Sequence, residues 1–594
     1  MNPTPITQDL VFIGGGHSHA IALKQFAMNP LPGVQITLIT DVAHTPYSGM
    51  LPGYVAGLYE FDECHIDLWP LCQMAGARLI LDRAVGLDLQ QRRVQCAQHP
   101  PIAYDVLSID IGSTPSTQDI EGAEHLIPVK PISKCLAQWD ALVAERTQQP
   151  RPLRLAIAGG GAGGIELAFA VESRFRRQHS DRAEVHIFQR GHQVLPHRSP
   201  LMRQRVRRQL KRRRMTLHLG QAITAVRPMG HQRDQPRSLQ VITSQQALAC
   251  DAAFWVTGAA AAPWLADSGL KTDEAGFITV NDCLQTSHEG VFAAGDVATV
   301  VNHPRPKAGV FAVRQGQPLY ENLRRSLLGD SLLPFRPQQQ FLILLGTGDE
   351  RAIASRGPLT LGPAKLLWRW KDHIDRKFMA QFVPNPETMK GAPPASAGEI
   401  DSQSPPMHCA GCGAKVGGTT LSNALKRIRA DLPSEDVGVV LGLDAAEDAA
   451  VLQPPRDQLW VQTVDYFPAL IDDPFLLGKI TACHCLNDLW AMGAVPHSVL
   501  AIATLPYGTP NKQEELLYHL LSGVAAILNQ TGAALIGGHT VAGETLALGL
   551  TCNGTARPQQ LLKKSGLQPG QALILTKALG TGTLFAAAQQ GQAK

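Results

Sequence analysis

The chain has 594 residues, 44% of them hydrophobic and 18% charged, with a formal net charge of +4. That length exceeds a single hydrophobic core and predicts three or four domains. So small a charge excludes a chain devoted to nucleic acid, which carries a strongly basic domain.

The opening residues, MNPTPITQDL, lack the basic and apolar regions of a signal peptide. From Leu10 onward, short apolar runs alternate with helical stretches. LVFI, VQITLI, RLAIA and EVHIF have strand length, and their alternation with helices predicts βαβ units and parallel sheets. Strand, glycine turn, helix and strand occur near residue 10 and again near residue 153, which predicts two nucleotide-binding units. The most apolar stretch, 252–266, is interrupted by Gly258 and Pro263 and is too short to span a bilayer. Eleven cysteines, odd in number and thinly spread, fit reduced thiols in a cytoplasmic chain. Residues 364–382 predict an amphipathic helix, with Leu366, Trp370, Ile374, Phe378 and Phe382 recurring every four residues among basic side chains. It serves equally as a packing helix or as one lying on a membrane surface. Residues 384–406, rich in Pro, Gly, Ser and Ala, read as a linker, and a second unit begins at 407.

The first glycine turn is Gly14-Gly15-Gly16-His17-Ser18-His19, directly after LVFI. Glycines there let backbone N–H groups reach a pyrophosphate at a helix N-terminus, and Asp41 ends the next strand where a carboxylate can accept ribose hydroxyls. His19 stands where the third small residue is expected, which predicts a looser fit of helix on strand. A metal site at His17 and His19 lacks a third ligand nearby, so a loop role beside the dinucleotide's phosphates is preferred. The second turn, Gly159 to Gly164, completes the GxGxxG pattern through Gly159, Gly161 and Gly164. At the end of its next strand Gln189 replaces the usual acid, and Arg190 could meet a 2′-phosphate. The basic run 203–214 reads as a solvated helix face before the strand MTLHLG.

HEGVFAAGDVATVV, with Gly295-Asp296, resembles the late flavin motif of two-dinucleotide flavoproteins, in which the aspartate holds the ribityl chain. WVTGAAAAPWL and YDVLSIDIGSTP resemble the turns that precede it. The ordered set over residues 8–383 resembles type II NADH dehydrogenases, with a nucleotide-binding insert at about 152–255. It implies FAD at the first turn and NAD(P)H at the second. No cysteine pair follows the first turn, so electrons are expected to pass from the flavin to an external acceptor.

In the second unit, Cys409 and Cys412 form one CxxC with no second pair for a zinc ribbon. A glycine-flanked thiol three residues before Lys415 suits a nucleophile kept ionised by an ammonium. Asp444, Asp448, Asp465 and Asp488 are spread as a Mg²⁺–polyphosphate site requires. GCGAK, EDAAV, TVDYF, the block 473–496, GGHT and GQALILTKALGTG, in that order, resemble selenophosphate synthetase (selenide, water dikinase), of the aminoimidazole ribonucleotide synthetase superfamily. The resemblance implies an α+β N-terminal domain at 407–594, incomplete at its C-terminal end, beside two Rossmann-like α/β domains. It implies Cys412 and Lys415 as catalytic residues and Mg²⁺ at Asp448 and Asp488. ATP would lie at Lys415, Asp465, Asp488, Gly537, Gly538 and His539. The family makes selenophosphate from ATP, selenide and water. His484 and Cys485 depart from its usual Asn-Ala.

A bifunctional selenium enzyme and homodimer is therefore expected, with small-molecule substrates and no nucleic acid. The alternative is an NAD(P)H:quinone oxidoreductase at the membrane surface with a non-catalytic ATP-binding module.

Overall fold

The structure, a computed structural model, describes residues 4–589 except 118, 149–152, 179–182, 230–237, 339–340, 384–415, 433–437, 444–449 and 454. The linker and the Cys412–Lys415 loop lie outside the described residues, as does Asp448.

Strand Gln8–Ile13 pairs in parallel with Val34–Thr40 and Val106–Ile109. Ala77–Leu81 and Val291–Ala293 complete a five-stranded sheet as its outer strands. Leu10, Val11 and Phe12 are fully buried, the continuous apolar run that a strand covered on both faces requires. A second parallel five-stranded sheet runs Ile127–Pro128, Ala252–Trp255, Arg154–Ala158, Glu184–Gln189 and Thr216–Leu219. All four strands read from the sequence are present.

Helix Lys365–Ala380 buries Trp368, Lys371, Asp375 and Met379, while Leu366, Trp370 and Ile374 are exposed. The period-four stripe therefore splits. Its end packs down, with Phe382 buried, and its start faces outward. The buried stripe contains an ion pair, Lys371 Nζ to Asp375 Oδ2 at 2.6 Å, which a count of apolar residues scores as polar. Helix Pro200–Arg212 buries Met202, Val206 and Leu210 beneath its basic face. Arg213, just beyond it, is not solvated: it is buried between Glu172 at 2.9 Å and Asp349 at 2.8 Å.

In the second unit a four-stranded sheet runs Leu459–Pro468, Ala547–Ala556, Val495–Pro506, Ala534–Gly543. Helices Pro474–Ala491 and Pro510–Thr531 cover one face. They cross at Gly478 and Gly523, where an added Cβ would lie 2.1 Å from Leu520 O and 2.0 Å from Phe475 O. No helix among the described residues is long and apolar enough to cross a membrane.

Candidate functional site

The first glycine turn is held from below by a carboxylate. Asp110 Oδ2 accepts from Ser18 N at 2.9 Å at the start of helix His17–Met28. A Cβ on Gly16 would lie 2.3 Å from that oxygen, and one on Gly295 2.2 Å from Asp110 Oδ1. Gly14 has φ +90°, and a Cβ there would meet Asp110 O at 2.5 Å. The early and late motifs thus meet at one side chain. Burial pushes the Asp110 carboxyl up to about 7, with the Ser18 N–H opposing and Asp296 adding to the shift.

Gly14, Gly16, Asp41, Asp110 and Asp296 line one cavity of about 720 Å³, within the size range of cofactor sites. Lys130 Nζ donates to Asp296 and to Ser113 Oγ, the latter at 2.9 Å. Lys307 Nζ donates to Ala298 O at 2.6 Å, and burial pushes it down to about 8. His17 lines the same cavity, and its buried Nε2 has no partner. Burial pushes His17 down to about 4. These groups fit a flavin dinucleotide: amides at a helix start for pyrophosphate, a carboxylate for ribose, and, on a residue that lines the cavity, a buried nitrogen left without a partner.

His19 corrects one expectation: it does not stand beside the cavity. Its Nδ1–H donates to Gly14 O at 2.6 Å, leaving Nε2 to accept from Ser108 Oγ at 2.8 Å. The ring is fully buried edge-on to Phe12.

At the second turn, Gly159 has φ +125°, and a Cβ on Gly164 would lie 1.9 Å from Gly159 O. Gly161 has open space where its Cβ would be. Gln189 Oε1 accepts from Gly160 N at 2.8 Å, so it braces the loop, while Arg190 is exposed beyond it. Sequence reasoning passed over Glu166, two residues past the fingerprint. It accepts from Gly346 N at 2.8 Å, and burial pushes it up to about 7. Its place after the last glycine was the one available signal. Lys130 carried none, being 166 residues from its partner.

In the second unit, Asp465, Leu550, Ala501 and Gly538 form one cross-strand row. Asp465 and Gly538 are on opposite edge strands, roughly 14 Å apart at three strand spacings. Gly537 and His539 flank Gly538, and His539 is exposed. Asp488 Oδ2 accepts from Thr463 Oγ1 at 2.8 Å, and His484 Nε2 lies 3.8 Å from Asp465 Oδ2. Among the described residues, no three His, Cys, Asp or Glu side chains cluster as a metal site.

Two dinucleotide turns on two parallel sheets define an oxidoreductase of the two-dinucleotide class. The chain belongs to the pyridine nucleotide-disulphide oxidoreductase family, which residues 8–316 match. Residues 446–556 match the N-terminal domain of AIR synthase related protein. Over 184 residues the chain is 39% identical to selenide, water dikinase of Pelobacter propionicus, covering 31% of this chain and 51% of that one. The Nitratidesulfovibrio vulgaris enzyme of that name is 36% identical over 192 residues, 32% of this chain and 54% of its own. The chain thus spans about half the length of these curated relatives. In fold it is similar to sulfide:quinone oxidoreductase from Aquifex aeolicus, with TM-score 0.52, 18% identity, and coverage of 63% of this chain and 91% of that one. It is also similar to NDH2 from Plasmodium falciparum, with TM-score 0.52, 12% identity, and coverage of 63% and 97%.

Proposed function

We infer that this chain is a bifunctional selenium enzyme divided at 384–406. In this reading the first unit uses NAD(P)H to reduce a selenium or sulfur species, and the second phosphorylates the resulting selenide with ATP and Mg²⁺. The observation that carries it is the union, in one chain, of a two-dinucleotide oxidoreductase with a module 39% identical to selenide, water dikinase. Selenide is oxygen-labile, so local production favours its use.

FAD would supply two-electron transfer between NAD(P)H and the acceptor. Gly14 and Gly16 would let the helix amides come close, Asp41 would accept ribose hydroxyls, and Asp296, which lines the cavity after Gly295, would hold the ribityl chain. Gly159, Gly161 and Gly164 receive NAD(P)H. In the second unit Cys412 is the nucleophile and Lys415 keeps it ionised and contacts ATP. Asp448 and Asp488 hold Mg²⁺, and Asp465, Asp488, Gly537, Gly538 and His539 contact the nucleotide.

NAD(P)H oxidation is the test, with selenite, elemental selenium and quinones offered separately. Turnover with quinones alone overturns the reading. Selenide-dependent ATP turnover that survives Cys412→Ala removes the nucleophile assignment.

One observation favours a second reading, quinone reduction at a membrane surface. Leu366, Trp370 and Ile374 are 74%, 48% and 41% exposed on a helix that also carries Arg369 and Lys377. Flotation with anionic liposomes, lost in Trp370→Glu, would support it.

A further inference from the structure

The underside of the flavin sheet, where its parallel strands begin, carries a dense set of fixed charges. Lys512 Nζ donates to Asp9 and Asp105 carboxylates at 2.6 Å each. Arg93 meets Glu515 at 2.5 Å, and Glu515 is shared with Arg427 at 2.7 Å. Backbone joins in: Thr509 N donates to Ile6 O at 3.0 Å. Arg427 braces Glu515 from within the second unit; each of the other contacts ties the first unit to the second.

At one margin of this surface stands His99, with its side chain 10% exposed. Its Nδ1 is 3.0 Å from Asp82 Oδ2 and its Nε2 is 2.7 Å from Asp473 Oδ2. Asp82 belongs to the first unit, where it also accepts from the backbone N–H groups of Gln98 and His99 at 2.8 Å. Asp473 belongs to the second, where its other oxygen caps helix Pro474–Ala491 through Leu476 N at 3.1 Å. A neutral imidazole has one N–H, so it could serve one carboxylate and would set a lone pair against the other. Only imidazolium donates to both.

We propose that this surface is the docking interface holding the two units as one body, and that imidazolium His99 is its bolt. The bolt joins a wall of the dinucleotide cavity, which Asp82 lines, to the N-terminus of the helix that carries Asp488.

Titratable neighbours come from every element around it. The first unit supplies Arg78, Asp82 and Cys96. The second supplies Asp472, Asp473 and Lys479 from the start of its helix, and Glu515 and His519 from helix Pro510–Thr531. Burial alone would push His99 down, but Asp473 and Asp82 together outweigh it and raise it above 6.5. Cys96 is pushed up to about 12 and His519 down to about 4, both mainly by burial, so neither gains or loses charge between pH 6 and 9. The sign follows from a folded value above the unfolded one. The contribution is complete below 6.5 and is lost as pH rises through the raised value.

The test uses the full chain in 0.15 M salt. Histidine-labelled NMR reads the titration of His99, identified by the signal missing in His99→Gln. Small-angle X-ray scattering reads compactness at pH 6, 7.5 and 9. The expected wild-type result is a titration above 6.5 and a radius of gyration that grows with pH. The docked-to-open ratio should fall about ten- to a hundredfold, the worth of one charged hydrogen bond. His99→Gln should be equally open at pH 6 and pH 9. Lys512→Ala should be more open throughout with the same pH midpoint. Asp473→Asn should lower one histidine titration and leave the others in place, which identifies the His99 signal on its own should His99→Gln fail to fold. A His99 titration at or below 6.5, or a wild-type radius unchanged from pH 6 to 9, overturns the proposal.

Discussion

Asp110→Asn removes a charge that the fold does not want. The carboxyl is buried at the meeting point of Gly16 and Gly295 and is pushed from 3.8 up to about 7. Between those values the folded chain keeps a proton that the unfolded chain has released, so stability falls as pH rises through that window. The full shift corresponds to about 4 kcal/mol at pH 8, at 1.36 kcal/mol per unit. Asparagine has the same shape, and its oxygen can still accept the Ser18 N–H, so the hydrogen bond survives and the charge does not. Its amide N–H groups need partners that the site supplies incompletely, which reduces the expected gain to ~2–4 kcal/mol. For a unit this size that raises Tm by roughly 5–10 °C at pH 8. The gain should vanish toward pH 4, where the native carboxyl is already neutral. Thermal unfolding of the flavin-free chain at pH 4, 6 and 8 measures it. A variant less stable than wild type at pH 8, or a gain that does not depend on pH, refutes the reasoning.

Three further outcomes are expected. Gly164→Ala drives a methyl to within 1.9 Å of Gly159 O, so the loop must shift. Flavin reduction by NAD(P)H, followed by stopped-flow absorbance, should slow about 100-fold while bound flavin is retained. Asp488→Asn should cut selenide-dependent ATP turnover about 10- to 100-fold and leave NAD(P)H oxidation unchanged. Arg190→Ala should raise KM for NADPH about tenfold with little effect on NADH, as expected for an exposed cation that pairs with a 2′-phosphate.

What was legible in the sequence was whatever a short window contains. RLAIA and EVHIF are apolar because their strands are covered on both faces, so the run itself reports the burial. The glycine turns are legible because a Cβ at Gly14 or Gly164 would strike backbone. Lys130 and Asp296 were not legible as a pair, since only the closing of the cavity brings them together. Helix Lys365–Ala380 was half legible. Periodicity found Leu366, Trp370 and Ile374, yet the face that packs is built on Lys371 and Asp375, charges that cancel at 2.6 Å. The docking surface was beyond sequence reasoning altogether. Asp9, Asp105 and Lys512 look like ordinary surface charges until two units meet.

His17 and His19 show the same limit within three residues. A two-residue step on an α-helix turns about 200°, so the side chains point nearly opposite ways. One ring lines the dinucleotide cavity with an unsatisfied nitrogen, and the other is sealed against strand Val106–Ile109. They cannot share a metal, for a reason stronger than the absence of a third ligand. The third small residue of the fingerprint normally lets helix and strand approach. Here an imidazole fills that place because both its nitrogens find partners, one on the Gly14 carbonyl and one on Ser108. A serine hydroxyl on a buried strand therefore satisfies the imidazole that stands where a small residue is expected. Ser108→Ala should leave His19 Nε2 unpartnered and loosen the turn that Gly14 and Gly16 form, even though neither glycine has changed.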